Sequence, residues 1–388
     1  MTEGVERWLQ AGEQELVAFR RVLHAHPELG RQEHATTALL GARLSAAGLS
    51  PKVLAGGTGL VCDVGEGGPV VVLRADIDAL PLQDGKQVPY RSEVDGVCHA
   101  CGHDVHTAVV LGAGLALAGL ELPGTVRLLF QPAEELMPGG ALDVLAEGWL
   151  EGVQAVFALH CDPSLDVGQV GLKSGPLTAA ADRVGVRLTG PGGHTSRPQN
   201  TVDLVHVLAT VATGLPAALS RMVDPRAGLC LVWGHVQAGT AHNAIPEAGV
   251  LAGTLRVLDK EAWEQAPALV ERLVQGIVAP YGAHATVTYE RGVPPVVNDP
   301  HATALLTAAV RTALGPAAAV PTRQSLGGED FAWYLDRVPG AMARLGVRPP
   351  GSGRQVDLHQ PAFDVDEAAI AVGVRVLAAA ARAALDTV

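Results

Sequence analysis

The sequence predicts an α/β protein, a mainly parallel sheet covered by helices, with a small α+β domain inserted into it. Three observations carry this. Strand-like apolar runs alternate with helical periodicity through the first part of the chain, as in a parallel sheet built from crossover units. One of those runs, VVVLRADID, is apolar enough to be buried on both faces. Beyond LKSGPLTAAAD the order becomes strand–helix–strand–strand–helix–strand, a split βαβ sandwich of the ferredoxin-like kind.

Taken in order, Val5 to Ala25 and Glu33 to Ala47 read as helices, and GLVCDVG and VVVLRADID as strands. A helix is predicted over Asp104 to Leu120, with Asp104 or Thr107 near its start. TVRLLFQ is a strand, Gly140 to Glu147 a short helix and AVFALHC a further strand. In the inserted part DRVGVRLTG, GLCLVWGHVQAG, GVLAGTLRVLD and HATVTYERG are strands, and Thr201 to Met222 and Lys260 to Val278 helices. A helix over 300–314, the glycine-rich SLGGED and a helix from Asp366 to Leu385 return to α/β texture. The expected boundaries are 1–181 with 294–388 for a discontinuous core domain and 182–293 for the insertion. A chain of 388 residues suits two domains.

Lys and Arg number 28 against 40 Asp and Glu, a net charge of -12, so no nucleic-acid partner is expected. The start, MTEGVERWLQAGEQEL, lacks the apolar core of a signal peptide. The longest apolar run, Ala108 to Leu120, is too short and glycine-rich to span a bilayer. The expectation is a soluble, cytoplasmic protein with no membrane partner. Five cysteines, an odd number, argue against a disulfide framework and for metal binding or burial.

Chemistry concentrates in CHACGHDVHTA. On a helix, Cys101 and His103 would diverge by roughly 200°; on an extended loop both reach one cluster. Cys98 and Cys101 also form C-x-x-C, open to a redox or zinc-ribbon reading, although no second C-x-x-C completes a ribbon. In FQPAEELMPGG, Glu134 and Glu135 follow a strand, so their side chains point different ways. One can hold a metal while the other serves as general base, the division of labour hydrolytic metal sites need; two exposed loop acids is the plainer reading. His160 ends the strand ALHC and His359 lies in a loop before the last helix, both near the carboxyl edge of the sheet, where open α/β folds hold their sites. Cys101, His103, Glu135, His160 and His359 are too many donors for one open tetrahedral zinc and enough for two metals sharing a bridge.

LHAHPELG, LRADIDALPL, CHACGHDVHTA, FQPAEE, GGHTSRP, AHNAIPEAGVLAGTLR, GGEDFAWYL and LHQPAFDVDE occur in this order over nearly the whole chain. Together they closely resemble the metal-dependent amidohydrolase family of hippurate hydrolases, N-acyl-L-amino-acid amidohydrolases and indole-3-acetyl-amino-acid hydrolases, relatives of carboxypeptidase G. The resemblance implies two divalent metals, zinc or manganese with cobalt and nickel as further candidates, held by Cys101, His103, Glu135, His160 and His359, with Cys101 as bridge. It implies Glu134 as general base, and Asp76 and Asp78 close by to orient ligands. In more distant relatives a metal-binding histidine stands near Asp76, and the resemblance implies that His103 would take over that task here.

It further implies that the inserted domain is a lid and dimerisation domain, so that a homodimer or higher homo-oligomer is expected. His194 would stabilise an oxyanion, from its own or a partner subunit, and Asn243 and Arg256 would hold the substrate carboxylate. A turn histidine, a loop asparagine and an exposed strand arginine are the bland alternatives. Gly175, Pro176, Pro294 and Pro295 mark expected hinges. The implied reaction is amide hydrolysis of N-acyl-L-amino acids such as N-acetyl, N-benzoyl or indole-acetyl conjugates. A small-peptide dipeptidase or carboxypeptidase, or an N-acetyl-diaminopimelate deacetylase, would use the same centre. A chain that kept the fold but lost catalysis would lack Glu134 or a ligand, and all are present. Two departures stand out: Cys98 where the family usually has Met, and Arg31-Gln32 in HPELGRQE. His99 and His106 lie near the cluster without an assigned role.

Overall fold

The computed structural model describes residues 2–352 and 356–387. It divides into two compact units: residues 1–175, 297–323 and 333–388, and residues 176–296 with 324–332.

The first unit is built on an eight-stranded sheet. Four parallel strands form its centre, in the order Thr125–Gln131, Val70–Asp76, Val153–Asp166 and Gly340–Arg348. Leu60–Val64 pairs antiparallel with Thr125–Gln131 on one flank, and Val170–Leu172 antiparallel with Gly340–Arg348 on the other. Val71 to Asp76 are all buried, as a two-face-covered strand requires.

Gly340–Arg348 is a central strand that the sequence reading passed over. Its run GAMARLGVR carries two glycines, two alanines and the buried Arg344 instead of a β-branched stretch, so periodicity does not announce it. His160 also differs from expectation. Its strand does not end there but runs on to Asp166, paired with the long neighbour Gly340–Arg348. The strand on its other side stops at Asp76, which keeps His160 near that strand's carboxyl end.

Helix Ala368–Leu385 is the core helix of this unit, packing on Thr2–Ala25, His103–Ala118, Pro300–Leu314 and three central strands. Its small residues permit close approach: a Cβ on Gly373 would stand 2.7 Å from a Val109 methyl. Among the described residues two helices, Leu204–Met222 and Ala368–Leu385, are long and apolar enough to cross a membrane by length and composition, and the second is mostly buried inside its unit.

The second unit has a four-stranded antiparallel sheet in the order Cys230–Ala238, Ala248–Val257, Ala180–Thr189, His284–Val293. Its first two strands in sequence, Ala180–Thr189 and Cys230–Ala238, flank Ala248–Val257, which is the split βαβ arrangement. Alternate residues Val184, Val186 and Leu188 are buried on the helix side. Helices Leu204–Met222 and Lys260–Val278 cover that face, and each starts at an aspartate cap: Asp203 accepts the His206 amide and Asp259 the Ala262 amide.

Candidate metal centre

Gly102 decides the local geometry of CHACGHD. It sits at φ 89°, in the left-handed region, and a Cβ there would lie 2.7 Å from Cys161 Sγ. Only glycine meets both demands. The chain therefore turns sharply, leaving Cys101 in the bend and His103 as the first residue of helix His103–Ala118. Cys98 is buried and free, and burial pushes its thiol up to about 11. That is the opposite of the acidified thiol of a redox pair.

Two histidines are fixed with Nε2 turned to the cluster. His103 Nδ1 donates to Asp78 O at 2.9 Å and faces Asp78 Oδ1 at 3.2 Å. His160 Nδ1 donates to the Cys161 carbonyl at 2.8 Å. A proton held on Nδ1 leaves the Nε2 lone pair for a cation. Asp78 also accepts the Glu135 amide at 3.0 Å, tying the carboxylate turn to the same aspartate. That turn follows strand Thr125–Gln131; Ala133 takes φ 55°, and its amide donates to the buried Glu33 at 2.7 Å. His359 adopts φ 60°, and its amide donates to Ala100 O at 2.8 Å, bringing a distant loop beside Cys101.

The donor atoms fall into groups. Cys101, His103 and His160 have ligand atoms within 4.8 Å of one another, and so do Cys101, Glu135 and His359. The Cys101 thiol is the member the two triplets share. His103 Nε2 is 3.8 Å from Glu135 Oε1 and 3.9 Å from Glu134 Oε2. His103 Nε2 and Glu135 Oε1 are buried and make no hydrogen bond, which suits atoms that face a cation. This mixed sulfur, nitrogen and oxygen set fits a pair of divalent ions.

Electrostatics agrees with a site built for positive charge. Burial alone would depress His103, but Asp76 and Cys101 raise its pKa well above the ordinary value, so its Nε2 carries a proton that a bound cation would displace. Cys101 and Glu135 push His359 up to about 10. Burial, with Arg344 nearby, keeps His160 low and neutral. Asp76 accepts from Arg74 at 2.7 Å, and the two lie buried together.

His194, Asn243 and Arg256 lie in the second unit. His194 pairs with Ala244 in a two-stranded ribbon, and the Thr195 amide donates to Asn243 O at 3.3 Å, so His194 and Asn243 are neighbours. His194 Nδ1 accepts the Ser196 amide at 3.1 Å. Arg256, on strand Ala248–Val257, donates to the Leu326 carbonyl.

Residues 72–383 match the family described as Peptidase family M20/M25/M40. The chain belongs to that family. Among its M20 relatives, an N-acetylcysteine deacetylase of Bacillus subtilis (strain 168) is 39% identical over 96% of this chain and 97% of the relative. An N-acyl-L-amino acid amidohydrolase of Geobacillus stearothermophilus is 38% identical over 76% of this chain and 81% of the relative. A Rhodococcus jostii (strain RHA1) protein that carries a glutamate–cysteine ligase name is 50% identical, and the chain spans about half of it, 47%. The crystal structure of a Bacillus subtilis dinuclear metal binding peptidase from the M20 family superposes with a TM-score of 0.86 at 36% identity, covering 98% of this chain and 100% of the other. The M20 fold and a metal-dependent hydrolase follow, and the two donor triplets match a dinuclear centre.

Sequence reasoning left His106 and Arg74 without roles. Both hold Asp76: His106 through Nδ1 at 2.6 Å and Arg74 through the other carboxylate oxygen. A signal for His106 was present, since it stands one helical turn after His103 on the same face.

Proposed function

We propose that this M20 chain hydrolyses the amide bond of N-acyl-L-amino acids, releasing a carboxylic acid and a free amino acid. The observation that carries the reading is the pair of donor triplets sharing Cys101, with Glu134 beside His103. Cys101, His103, Glu135, His160 and His359 would hold two divalent ions, zinc or manganese, with Cys101 common to both donor triplets. Such a pair acidifies water and polarises a carbonyl. Glu134 takes the proton from the attacking water and passes it to the leaving amine. His103 and Glu135 are kept in register by Asp78, and Asp76 steadies the helix start.

In the proposal residues 182–293 act as a lid and dimerisation domain on a catalytic domain of 1–181 and 294–388. His194 there donates to the oxyanion, from its own or a partner subunit, while Asn243 and Arg256 grip the α-carboxylate. Arg suits that grip because its fork pairs with both carboxylate oxygens. Names of relatives support the substrate class, and free thiols suit a reducing cytoplasm. The test is chelator-stripped protein, reloaded with zinc, manganese, cobalt or nickel, on a panel of N-acetyl, N-benzoyl and indole-acetyl amino acids with dipeptides. Turnover of the acyl amino acids above the dipeptides supports the reading. Preference for dipeptides would replace it with a peptidase.

A further inference from the structure

Arg20 lies in helix Thr2–Ala25, remote in sequence from every donor, and its side chain is 1% exposed. Its Nε donates to Asp104 Oδ2 at 2.6 Å, one nitrogen to Asp364 Oδ1 at 3.2 Å and the other to Glu367 Oε1 at 3.2 Å. Asp104 directly follows His103, and Asp364 lies in the loop that carries His359. One guanidinium therefore spans the chain segments bearing a member of each triplet.

The neighbours of Arg20 hold the same geometry. His24, one turn later on the helix, donates from Nδ1 to Asp104 Oδ2 at 2.7 Å. Tyr90 donates its hydroxyl to Asp364 Oδ2 at 2.9 Å, and its ring centre is 4.9 Å from the Arg20 guanidinium carbon. Arg21 closes the outer side on Glu367 Oε2 at 2.6 Å. A buried cation is tolerated only while its carboxylates stay in place, so drawing residue 364 away from 104 is costly. By contrast the His359 side chain is 52% exposed. Near it, backbone bonds from His359 to Ala100 and from Gly85 to Pro361 steady the loop.

We propose that Arg20 is a positioning residue that sets the separation between the His103 helix start and the His359 loop, so that both donor triplets reach their cations together. The inference rests on the two-metal reading above. A planar fork reaching three carboxylates is a task lysine cannot copy.

The test uses the full chain, stripped of metal and titrated with Mn²⁺ by calorimetry and with Co²⁺ by absorption, beside thermal unfolding of each metal-free variant. Variants are Arg20→Met, Arg20→Lys, Asp364→Asn and the Arg20→Met/Asp364→Asn double. Wild type binds a pair of cations. Arg20→Met weakens the second by about tenfold or more, as loss of outer supports does, while Arg20→Lys falls between. The double variant loses no more than about twofold beyond Arg20→Met, because both changes cut one unit. At saturating metal kcat falls and KM stays. A folded Arg20→Met protein binding both cations with wild-type affinity, or losses that multiply in the double variant, overturns the proposal. If Arg20→Met does not fold, Asp364→Asn decides: unchanged stepwise affinities there overturn it. A wild type that takes up no cation pair overturns the two-metal reading itself, and the Arg20 proposal with it.

Discussion

His106 Nδ1 stands 2.6 Å from Asp76 Oδ1, and the same ring accepts the Cys161 amide at Nε2 from 2.8 Å. Both ring nitrogens are thereby engaged. The imidazole joins three elements: helix His103–Ala118, the end of strand Val70–Asp76, and the strand bearing His160. Its geometry is that of a brace between segments, with no lone pair left over for a metal.

Glu134→Gln should leave cation uptake at the wild-type level and lower kcat by about 10²-fold or more, the usual worth of a general base. Metal content by mass spectrometry and steady-state turnover of an N-acyl amino acid check it. Retained turnover would remove Glu134 from the chemistry.

Arg256→Ala should lower kcat/KM for free-acid substrates roughly 10- to 100-fold, the worth of a charge-assisted bond of ~1.5–3 kcal/mol. Methyl esters of the same substrates should change far less. Equal losses on acid and ester would refute the carboxylate grip.

Gly102→Ala should destabilise the metal-free protein by ~1–3 kcal/mol, since φ 89° is strained for alanine and the new methyl meets Cys161 Sγ at 2.7 Å. Cation affinity should fall as well, because Cys101 and His103 flank the turn. Urea unfolding and metal titration measure the two effects separately. A variant as stable as wild type would show that the turn relaxes.

Asp84 accepts the Lys86 and Ser92 amides at 2.9 and 3.0 Å and faces Lys86 Nζ at 3.0 Å. Burial would raise its pKa, but His24 and those donors hold it well below the ordinary 3.8. A carboxyl with a depressed folded pKa stabilises fully above its unfolded value and loses that contribution as pH falls toward the folded one. Asp84→Asn should cost on the order of 2 kcal/mol at neutral pH, with the gap to wild type closing below pH ~4. Denaturant midpoints across pH test this; a constant gap would contradict it.

Much of the fold is legible because its helices and most strands carry local periodicity. Candidate donors such as Cys101, Glu135 and His359 also stand out, since few residue types bind metals. What escapes is set by distant partners. Gly340–Arg348 becomes a strand only through pairing with Val153–Asp166. Its glycines and Arg344 give no local cue. Residues 324–332 cluster with the second unit through contacts such as Ser325 N to Leu177 O at 2.9 Å, which no nearby sequence foretells. Arg20 reads as an ordinary helix cation until the fold brings Asp364 to it.

The last helix fills the middle of the first unit and not its rim. Helix His103–Ala118 already packs on the central strands, and Ala368–Leu385 completes that cover, so a chain made only to its middle leaves part of the sheet's apolar side open. The amino-terminal helix can pack on His103–Ala118 first and gains Ala368–Leu385 as its second partner later. The half-made chain is thus the stage at which sticking to other molecules is the greatest hazard, and slowing synthesis would prolong it.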